Sequence, residues 1–569
     1  MGKEQWFLTT KRADFDAIAA RFDIDPVVAR VIRNRDITGD EDIRVFLHGT
    51  VRDMHDPMRM RDMDAAVSIL KDKIAGGAPV RIIGDYDIDG VMSSYILDSG
   101  IRSLGGKCDV RIPHRIRDGY GISDRMVEEA AADGIDTILT CDNGIAAFDQ
   151  VKKAKALGMT VIVTDHHEVL GIPEADAVLN PHRPDCPYPY KELCGAGVAY
   201  KLMEALYRAF SKDEDAVSRY LAYAAFATIG DIVDLTGENR IIVKEGLARL
   251  RKTDHIGLRA LCLACGMEPS QIDPYRIGFI LGPCINAGGR LDSAMLPFEL
   301  MKTEDPQRAE EIALSLKMLN DSRKALTDEA AAMAEEAVEN GGCGEKVYVI
   351  CLPECHESIA GIVAGRIREK FGHPVYVLTR SGDFIKGSGR SVSSYSMFEE
   401  LSRCADLLVR FGGHPMAAGL TLREENVDAL RRQLNENCPL GPEDFFDKVQ
   451  IDAAMPLRYV TEDLIRQLEM LAPFGKGNPE PLFAQKGILA ENPRLLGAKK
   501  NVLKMRLRCG DGTAMDGICF RNAEETYEMV NENPEIMVAY VPSVNEYNGF
   551  RRLQAEIRYL RLSGGEKRA

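Results

Sequence analysis

The 569-residue sequence has no run of about 18 consecutive apolar residues, so no membrane-spanning helix is predicted. Its first residues, Met1-Gly2-Lys3-Glu4-Gln5-Trp6, lack the apolar core of a signal peptide, which leaves the cytoplasm as the expected compartment. The 14 cysteines form no disulfide framework. Cys262-Leu263-Ala264-Cys265 is the one CxxC pair. No second pair stands at zinc-site spacing, and the helix-like surroundings favour buried thiols over ligands. Reduced thiols suit a cytosolic protein. Heptads, internal repeats and low-complexity tracts are also missing. Cations are in deficit, with a formal net charge of -15. That disfavours a nonspecific nucleic-acid-coating protein, whose affinity rests on phosphate neutralisation. A nuclease remains compatible, because a local basic lining can hold a strand while the outer surface stays acidic.

What is present is the composition of a soluble globular protein, 45% hydrophobic and 28% charged. The length exceeds what one core supports, so three or four domains are expected. The informative stretch is Arg81-Ile82-Ile83-Gly84-Asp85-Tyr86-Asp87-Ile88-Asp89-Gly90. It reads as a buried strand running into an acidic loop. On an extended backbone side chains repeat every two residues, so Asp85, Asp87 and Asp89 are expected to point one way. Carboxylates that close repel one another, and a divalent cation with oxygen ligands relieves the conflict. The competing reading is a solvated acidic turn.

Further apolar runs also deliver polar groups. Thr137–Cys141 leads to Asp142-Asn143-Gly144, Thr160–Thr164 to Asp165-His166-His167, and Ala227–Gly230 to Asp231. A parallel sheet gathers functional groups at the carboxyl ends of its strands, so a metal cluster is the economical reading. Helix and strand alternate over 123–133, 136–141, 147–157 and 160–164, which predicts a parallel doubly wound sheet. The strand Cys108–Pro113 ends in a loop bearing Arg115 and Arg117, either a phosphate grip or an ordinary surface loop. Residues 240–334 read as mostly helical, and Ala309–Asn340 as one or two long helices connecting two lobes. A second α/β lobe follows, with strands at 347–351 and 374–379 and a helix at 359–371. Within it, Ile385–Ser391 and Arg410–Gly419 read as glycine-rich, cation-bearing turns whose N–H groups form anion nests. Residues 448–562 carry five short strands, as in an OB-fold. There Lys499, Lys500, Lys504, Arg506 and Arg508 read as a basic stripe. Phe520, Tyr540, Tyr547 and Phe550 are candidates for base stacking, with core packing as the alternative for each.

Asp-Tyr-Asp-Ile-Asp-Gly, Asp-Asn-Gly, Asp-His-His and the later Gly-Asp resemble the DHH phosphoesterase superfamily. Within it the chain is similar to the RecJ-type family of bacterial single-strand-specific exonucleases, across Phe279–Leu291, the Gly-Ser-x-Arg and Gly-Gly-His segments, and Leu471–Pro481. One departure is His356-Glu357-Ser358, where many relatives have glycine third. The resemblance implies an α/β protein: an N-terminal helical extension (1–60), a parallel-sheet DHH catalytic domain (61–240), a helical region with a connector helix (241–340), a smaller DHHA1 substrate-binding lobe (341–438) and a β-barrel OB-fold (448–562). It implies two Mn²⁺ or Mg²⁺ ions held by Asp85, Asp87, Asp89, Asp142, His166 and Asp231. Asp142 bridges them, Asp165 orients His166 from behind, and His167 meets the scissile phosphate or leaving group. It places Arg115, Arg290, Ser388, Arg390 and His414 on the substrate. The implied activity is 5′→3′ digestion of single-stranded DNA to 5′-mononucleotides in repair and recombination. Single-strand binding protein and a RecQ-type helicase are the expected partners, and a monomer without membrane association the expected state. The alternatives are a small-substrate DHH phosphodiesterase, for nanoRNA or cyclic dinucleotides, and a catalytically silent DNA-binding relative.

Overall fold

The apolar pentapeptides that precede the acidic motifs pair with one another. In the computed structural model, which describes residues 4–115, 117–341, 344–547 and 549–563, they form a five-stranded sheet. Its strands are β1 (Pro79–Ile83), β2 (Lys107–Arg111), β3 (Thr137–Cys141), β4 (Thr160–Thr164) and β5 (Ala177–Leu179). The order is β2-β1-β3-β4-β5, and every neighbouring pair is parallel. Helices cover both faces, so all five residues of β3 are buried and the sequence Thr-Ile-Leu-Thr-Cys shows no in–out alternation. The registers Ile83↔Thr140 and Cys141↔Thr164 bring the carboxyl ends of β1, β3 and β4 side by side. Buried Arg81 in β1 is tied by Asp109, at 2.7 and 3.0 Å, and by Asp133 at 2.8 Å.

Helix α1 (Ile88–Ser103) starts directly after the acidic loop, and α2 (Gly195–Ala209) and α3 (Leu221–Gly230) pack in the same region. Asp231 is the C-cap of α3 rather than a strand end. Leu221–Gly230 holds four alanines, which favour helix, and its first nine residues are buried, so it is apolar on every side. Helix α4 (Gly282–Leu291) carries the Asn286 and Arg290 motif. The connector is a single 36-residue helix, α5 (Pro306–Gly341).

The second lobe is a five-stranded sheet of β6 (Tyr348–Cys351), β7 (Val375–Ser381), β8 (Phe384–Arg390), β9 (Leu408–His414) and β10 (Ala417–Leu422), in the order β9-β10-β8-β7-β6, with α6 (Glu357–Phe371) against it. The two segments expected to be turns are thus strands, with Ser388 registered between Val377 and Gly419. The backbone of Ile385–Arg390 is paired on both sides, so the anion-nest expectation fails there, while Leu408–His414 is the edge strand and is paired on one side only. Two of the glycines, Gly387 and Gly389, misled because they serve packing. A Cβ at Gly387 would sit 2.5 Å from Leu378 Cδ2, and one at Gly389 would sit 2.6 Å from Met397 Sδ.

These elements lie in one compact unit, built mainly from Asp56–Asp231 and Gly246–Lys448. A second unit comprises Trp6–His55, Ile232–Glu245 and the chain from Val449 onward. It contains a barrel of β11 (Phe483–Leu496), β12 (Val502–Cys509), β13 (Ala514–Cys519), β14 (Glu535–Tyr547) and β15 (Phe550–Leu562), ordered β11-β12-β13-β15-β14 and closed by β11 pairing with β14. Three short helices, Phe15–Phe22, Pro26–Asn34 and Asp40–His48, give the barrel core Val28, Ile32, Ile43 and Leu47. Arg240 is buried in this unit and donates to the carbonyls of Phe46, Met470 and Leu471, with its guanidinium 4.0 Å from the Phe46 ring centroid.

The barrel bears on two readings of the sequence. Tyr540 is fully buried and donates to Met455 O at 2.9 Å, so it is a core residue. Phe520 and Phe550 are exposed, and the Tyr547 side chain lies outside the described residues. Most of the basic stripe is ion-paired: Lys504 and Arg506 with Asp516, Arg508 with Glu491. No helix among the described residues is long and apolar enough to cross a membrane.

Candidate active site

β1 ends at Ile83, and Gly84 turns the chain. A Cβ there would lie 2.1 Å from Ser94 Oγ, so glycine is required for close passage against α1. Asp85 follows, buried, and Asp87 becomes the N-cap of α1, its carboxylate accepting from the N–H groups of Asp89 at 3.0 Å and Gly90 at 3.1 Å. Asp89 is already in the first helical turn. The three carboxylates therefore do not share one face of an extended strand; a strand-to-helix turn splits them. Asp85 and Asp87 gather with Asp142, and Asp89 gathers with His166 and Asp231, the ligand atoms of each trio lying within 4.8 Å of one another. Asp142, His166 and His167 form a third such trio.

The joint between these groups is Asp142. It sits at φ 60°, in the left-handed region, directly after β3. His166 Nε2 lies 3.1 Å from Asp142 Oδ1, 3.5 Å from Asp89 Oδ2 and 3.8 Å from Asp231 Oδ2. Asp89 is gripped from behind by the amino end of α2: Gly195 N–H donates at 2.6 Å and Ala196 N–H at 2.7 Å. A helix N-terminus is a favourable seat for a carboxylate. Gly195 is demanded by the same contact, since a Cβ there would lie 2.7 Å from Asp142 Cβ.

Asp165 is placed differently from expectation. Its Oδ1 takes the backbone N–H of His166 at 2.8 Å and pairs at 2.8 Å with Nδ1 of His167, not with the ring of His166; its Oδ2 accepts from Ile145 N–H. Burial opposes charging His167, but the hydrogen bond and charge of Asp165 outweigh it and raise its pKa. Burial lowers the pKa of His166, leaving its ring neutral and able to coordinate.

Burial raises Asp85, Asp89 and Asp142 above the usual carboxylate range. The charge of Asp87 adds to the effect at Asp85, and those of Asp89, Asp87 and Asp85 add to it at Asp142, while His166 works against it at Asp89. Oδ1 of Asp85 and Oδ1 of Asp142 are buried without a hydrogen-bond partner. Buried acceptors are normally satisfied, so two orphans in one carboxylate–imidazole cluster are what a divalent cation fits. The donor set suits Mn²⁺, with Mg²⁺ workable.

A cleft of about 500 Å³ opens beside this cluster, lined by Tyr86, Arg115, Ser358, Lys386, Ser388 and Arg410 among others. The Arg115 guanidinium lies 4.7 Å from the Tyr86 ring centroid. Arg290 donates to Ser358 O at 2.8 Å, joining the two lobes, and burial lowers its pKa to about 10. Arg390 is largely covered by α6, where a Cβ on Gly361 would touch its Nη2 at 2.8 Å. His414 is exposed at the tip of the β9–β10 hairpin and does not line the cleft. The structure thus brings Asp85, Asp87, Asp89, Asp142, His166, His167 and Asp231 together, sets Arg115 and Ser388 in the cleft wall, and leaves His414 outside it.

Sequence reasoning missed three contributors and misplaced a fourth. Tyr120 donates to Asp142 O at 3.0 Å and lies beside the His167 ring. Asn286 accepts from Ile88 N–H at 2.8 Å and so fixes the acidic turn. The third contributor is the amide pair of Gly195 and Ala196. The fourth is Arg410, whose cleft position depends on a strand read as a turn.

Family models match three segments: the DHH family N-terminal domain over residues 79–229, the DHHA1 domain over 344–438 and the RecJ OB domain over 451–559. The chain is 35% identical over 564 residues to the single-stranded-DNA-specific exonuclease RecJ of Bacillus subtilis, covering 98% of this chain and 70% of that protein. It is 33% identical to the Salmonella typhimurium protein of the same description, over 97% of this chain and 98% of that one. The chain belongs to the RecJ exonuclease family. Crystal structures of RecJ from Thermus thermophilus superpose on it at 29% identity. The complex with Mn²⁺ has a TM-score of 0.85 and covers 98% of this chain and 80% of that one. The complex with Mg²⁺ has a TM-score of 0.79, with 98% and 78% covered. The family is one of hydrolytic nucleases, its solved structures carry Mn²⁺ or Mg²⁺, and the carboxylate–imidazole groups of this chain are able to bind such an ion.

Proposed function

We propose that this RecJ-family chain digests single-stranded DNA from the 5′ end, hydrolysing phosphodiester bonds to release 5′-mononucleotides in DNA repair and recombination. The observation that carries it is the pair of unsatisfied buried oxygens, on Asp85 and Asp142, set among convergent ligands beside an arginine-lined cleft. Two ions are assigned. Asp89, His166 and Asp231 would hold one, Asp85 and Asp87 the other, and Asp142, grouped with Asp85 and Asp87 and 3.1 Å from His166, would serve both. Divalent ions there supply charge stabilisation to the phosphoryl oxygens and a more acidic bound water. The chain's own residues do the rest. His167, held by Asp165 and partly open to solvent, presents its second ring nitrogen to the scissile phosphate or the leaving 3′-oxygen. Arg115 and Ser388 take the terminal 5′-phosphate, with Arg290 and Arg390 adding positive charge behind them. Asn286 keeps the acidic turn rigid.

Counting from the 5′ end requires that end to be held. Oligonucleotides carrying a 5′-phosphate should be degraded, those with a bulky 5′ block should resist, and a 3′ block should make no difference. Equal digestion of 5′-blocked and 5′-phosphorylated strands would remove the pocket assignment. The family also suggests cooperation with single-strand binding protein and a RecQ-type helicase, which would deliver single strands to the cleft.

A further inference from the structure

We propose that the cleft also accepts a 5′-polyphosphorylated strand end, with Arg410 binding the phosphoryl groups beyond the terminal monophosphate position. This rests on the 5′-end pocket proposed above and extends it to a second class of substrate end.

The argument starts from two glycines that the fold does not need. A Cβ built on Gly412 meets nothing within 4 Å, and one on Gly419 meets only Gly387 O at 3.9 Å. Neither residue has a positive φ. This contrasts with Gly413 on the same strand, at φ 144° and 2.4 Å from Ala417 O. Packing and backbone conformation therefore leave Gly412 and Gly419 unexplained, whereas both line the cleft and are in register with each other and with Ser388. Three neighbouring strands thus present a bare floor on which a ligand can approach the backbone closely.

One step along the strands stands a second row of cleft-lining residues: Lys386, Thr421 and Arg410, registered across β8, β10 and β9. Two residues of strand span about 6.8 Å. That carries the row past a phosphate seated at Ser388 and within reach of further phosphoryl groups attached to it. Lys386 is already engaged by Glu357, at 2.9 Å, and Glu357 also accepts from Ser381 Oγ. Arg410 is exposed and, among the described residues, has no hydrogen-bond or ion-pair partner. A planar guanidinium without a carboxylate, at the end of a glycine floor, is suited to bidentate phosphate binding. A monophosphate end would leave it unused.

The chemistry is unchanged and balances. Water adds to the first internucleotide phosphorus, and the bond to the 3′-oxygen breaks. That oxygen takes the proton, a nucleoside 5′-triphosphate leaves, and the shortened strand keeps a 5′-monophosphate. The anhydride bonds are not touched, so only the first turnover differs.

The test compares one oligonucleotide bearing a 5′-hydroxyl, a 5′-monophosphate or a 5′-triphosphate, by fluorescence-anisotropy binding and by release of the first nucleotide under single-turnover conditions. Wild type should process the triphosphate end within about threefold of the monophosphate end. Arg410→Ala should lower the triphosphate-to-monophosphate ratio about tenfold in both readouts, the scale of a lost charge-assisted hydrogen bond. Arg410→Lys should restore part of it. Wild-type resistance to the triphosphate end, or an equal loss for both ends in Arg410→Ala, would overturn the proposal; the latter would place Arg410 on an internucleotide phosphate instead. A 5′-hydroxyl strand handled like the monophosphate would instead overturn the pocket reading on which the proposal rests.

Discussion

Asp142→Asn should cost about a thousandfold or more in metal-dependent hydrolysis, the scale on which removal of one group stabilising transition-state charge falls. The same substitution should raise the thermal stability of the metal-free protein. Asn is isosteric and leaves the turn after β3 intact, including the hydrogen bond from Tyr120 to the backbone carbonyl. It removes a negative charge from a buried position where burial and then Asp89, Asp87 and Asp85 hold the carboxyl well above its ordinary 3.8. A carboxyl whose folded pKa is raised contributes stability that is present below the unfolded value and lost as pH rises through the folded value. The metal-free wild type should therefore weaken as pH rises above the ordinary carboxylate range, and Asp142→Asn should weaken less. Scanning fluorimetry with chelator across pH, paired with a nuclease assay, reads both effects. A variant near wild-type activity would remove Asp142 from the reaction. A variant less stable than wild type without metal would show that the carboxylate is structurally satisfied.

Gly195→Ala should lower turnover about 10- to 100-fold, the range for disturbing a residue that orients a metal ligand. Alanine suits helix α2 better than glycine and meets no conformational barrier, since Gly195 is not among the positive-φ positions. The penalty is steric and local. The added Cβ would lie 2.7 Å from Asp142 Cβ and 2.9 Å from Asp142 Oδ1. To relieve it, α2 must retreat from Asp142 and draw the Gly195 and Ala196 amides off Asp89. One methyl group thus perturbs two ligands that the variant leaves chemically intact. Circular dichroism should be unchanged while manganese affinity and turnover fall together. Unaltered kinetics would mean that the amino end of α2 is not part of the metal site.

The parallel sheet was legible because β1, β3 and β4 are buried on both faces, which writes short, mostly apolar, β-branched runs that lead into Asp or His. The ligand identities were legible for the same reason. Their geometry was not. Alternation within Asp85–Asp89 suggested one face of a strand, but Asp87 caps a helix, and the helix turns Asp89 towards His166. Spacing along the chain does not encode where a cap begins. The expected hold of Asp165 on the His166 ring falls on His167 instead, because the choice depends on backbone direction after β4. Strands β8 to β10 read as turns in the sequence, since glycines that serve packing, such as Gly387 and Gly389, look the same there as glycines that serve reversal. For Tyr540 the core alternative holds, because its position on β14 points it into the barrel core.

The account stands most directly on manganese binding. Titration of the metal-free protein, followed by the electron paramagnetic resonance signal of free Mn²⁺, should show about two ions bound per chain in wild type, the stoichiometry of a two-metal hydrolase, and a clear loss in Asp142→Asn. Undiminished free signal in wild type, or equal binding by the variant, would contradict it.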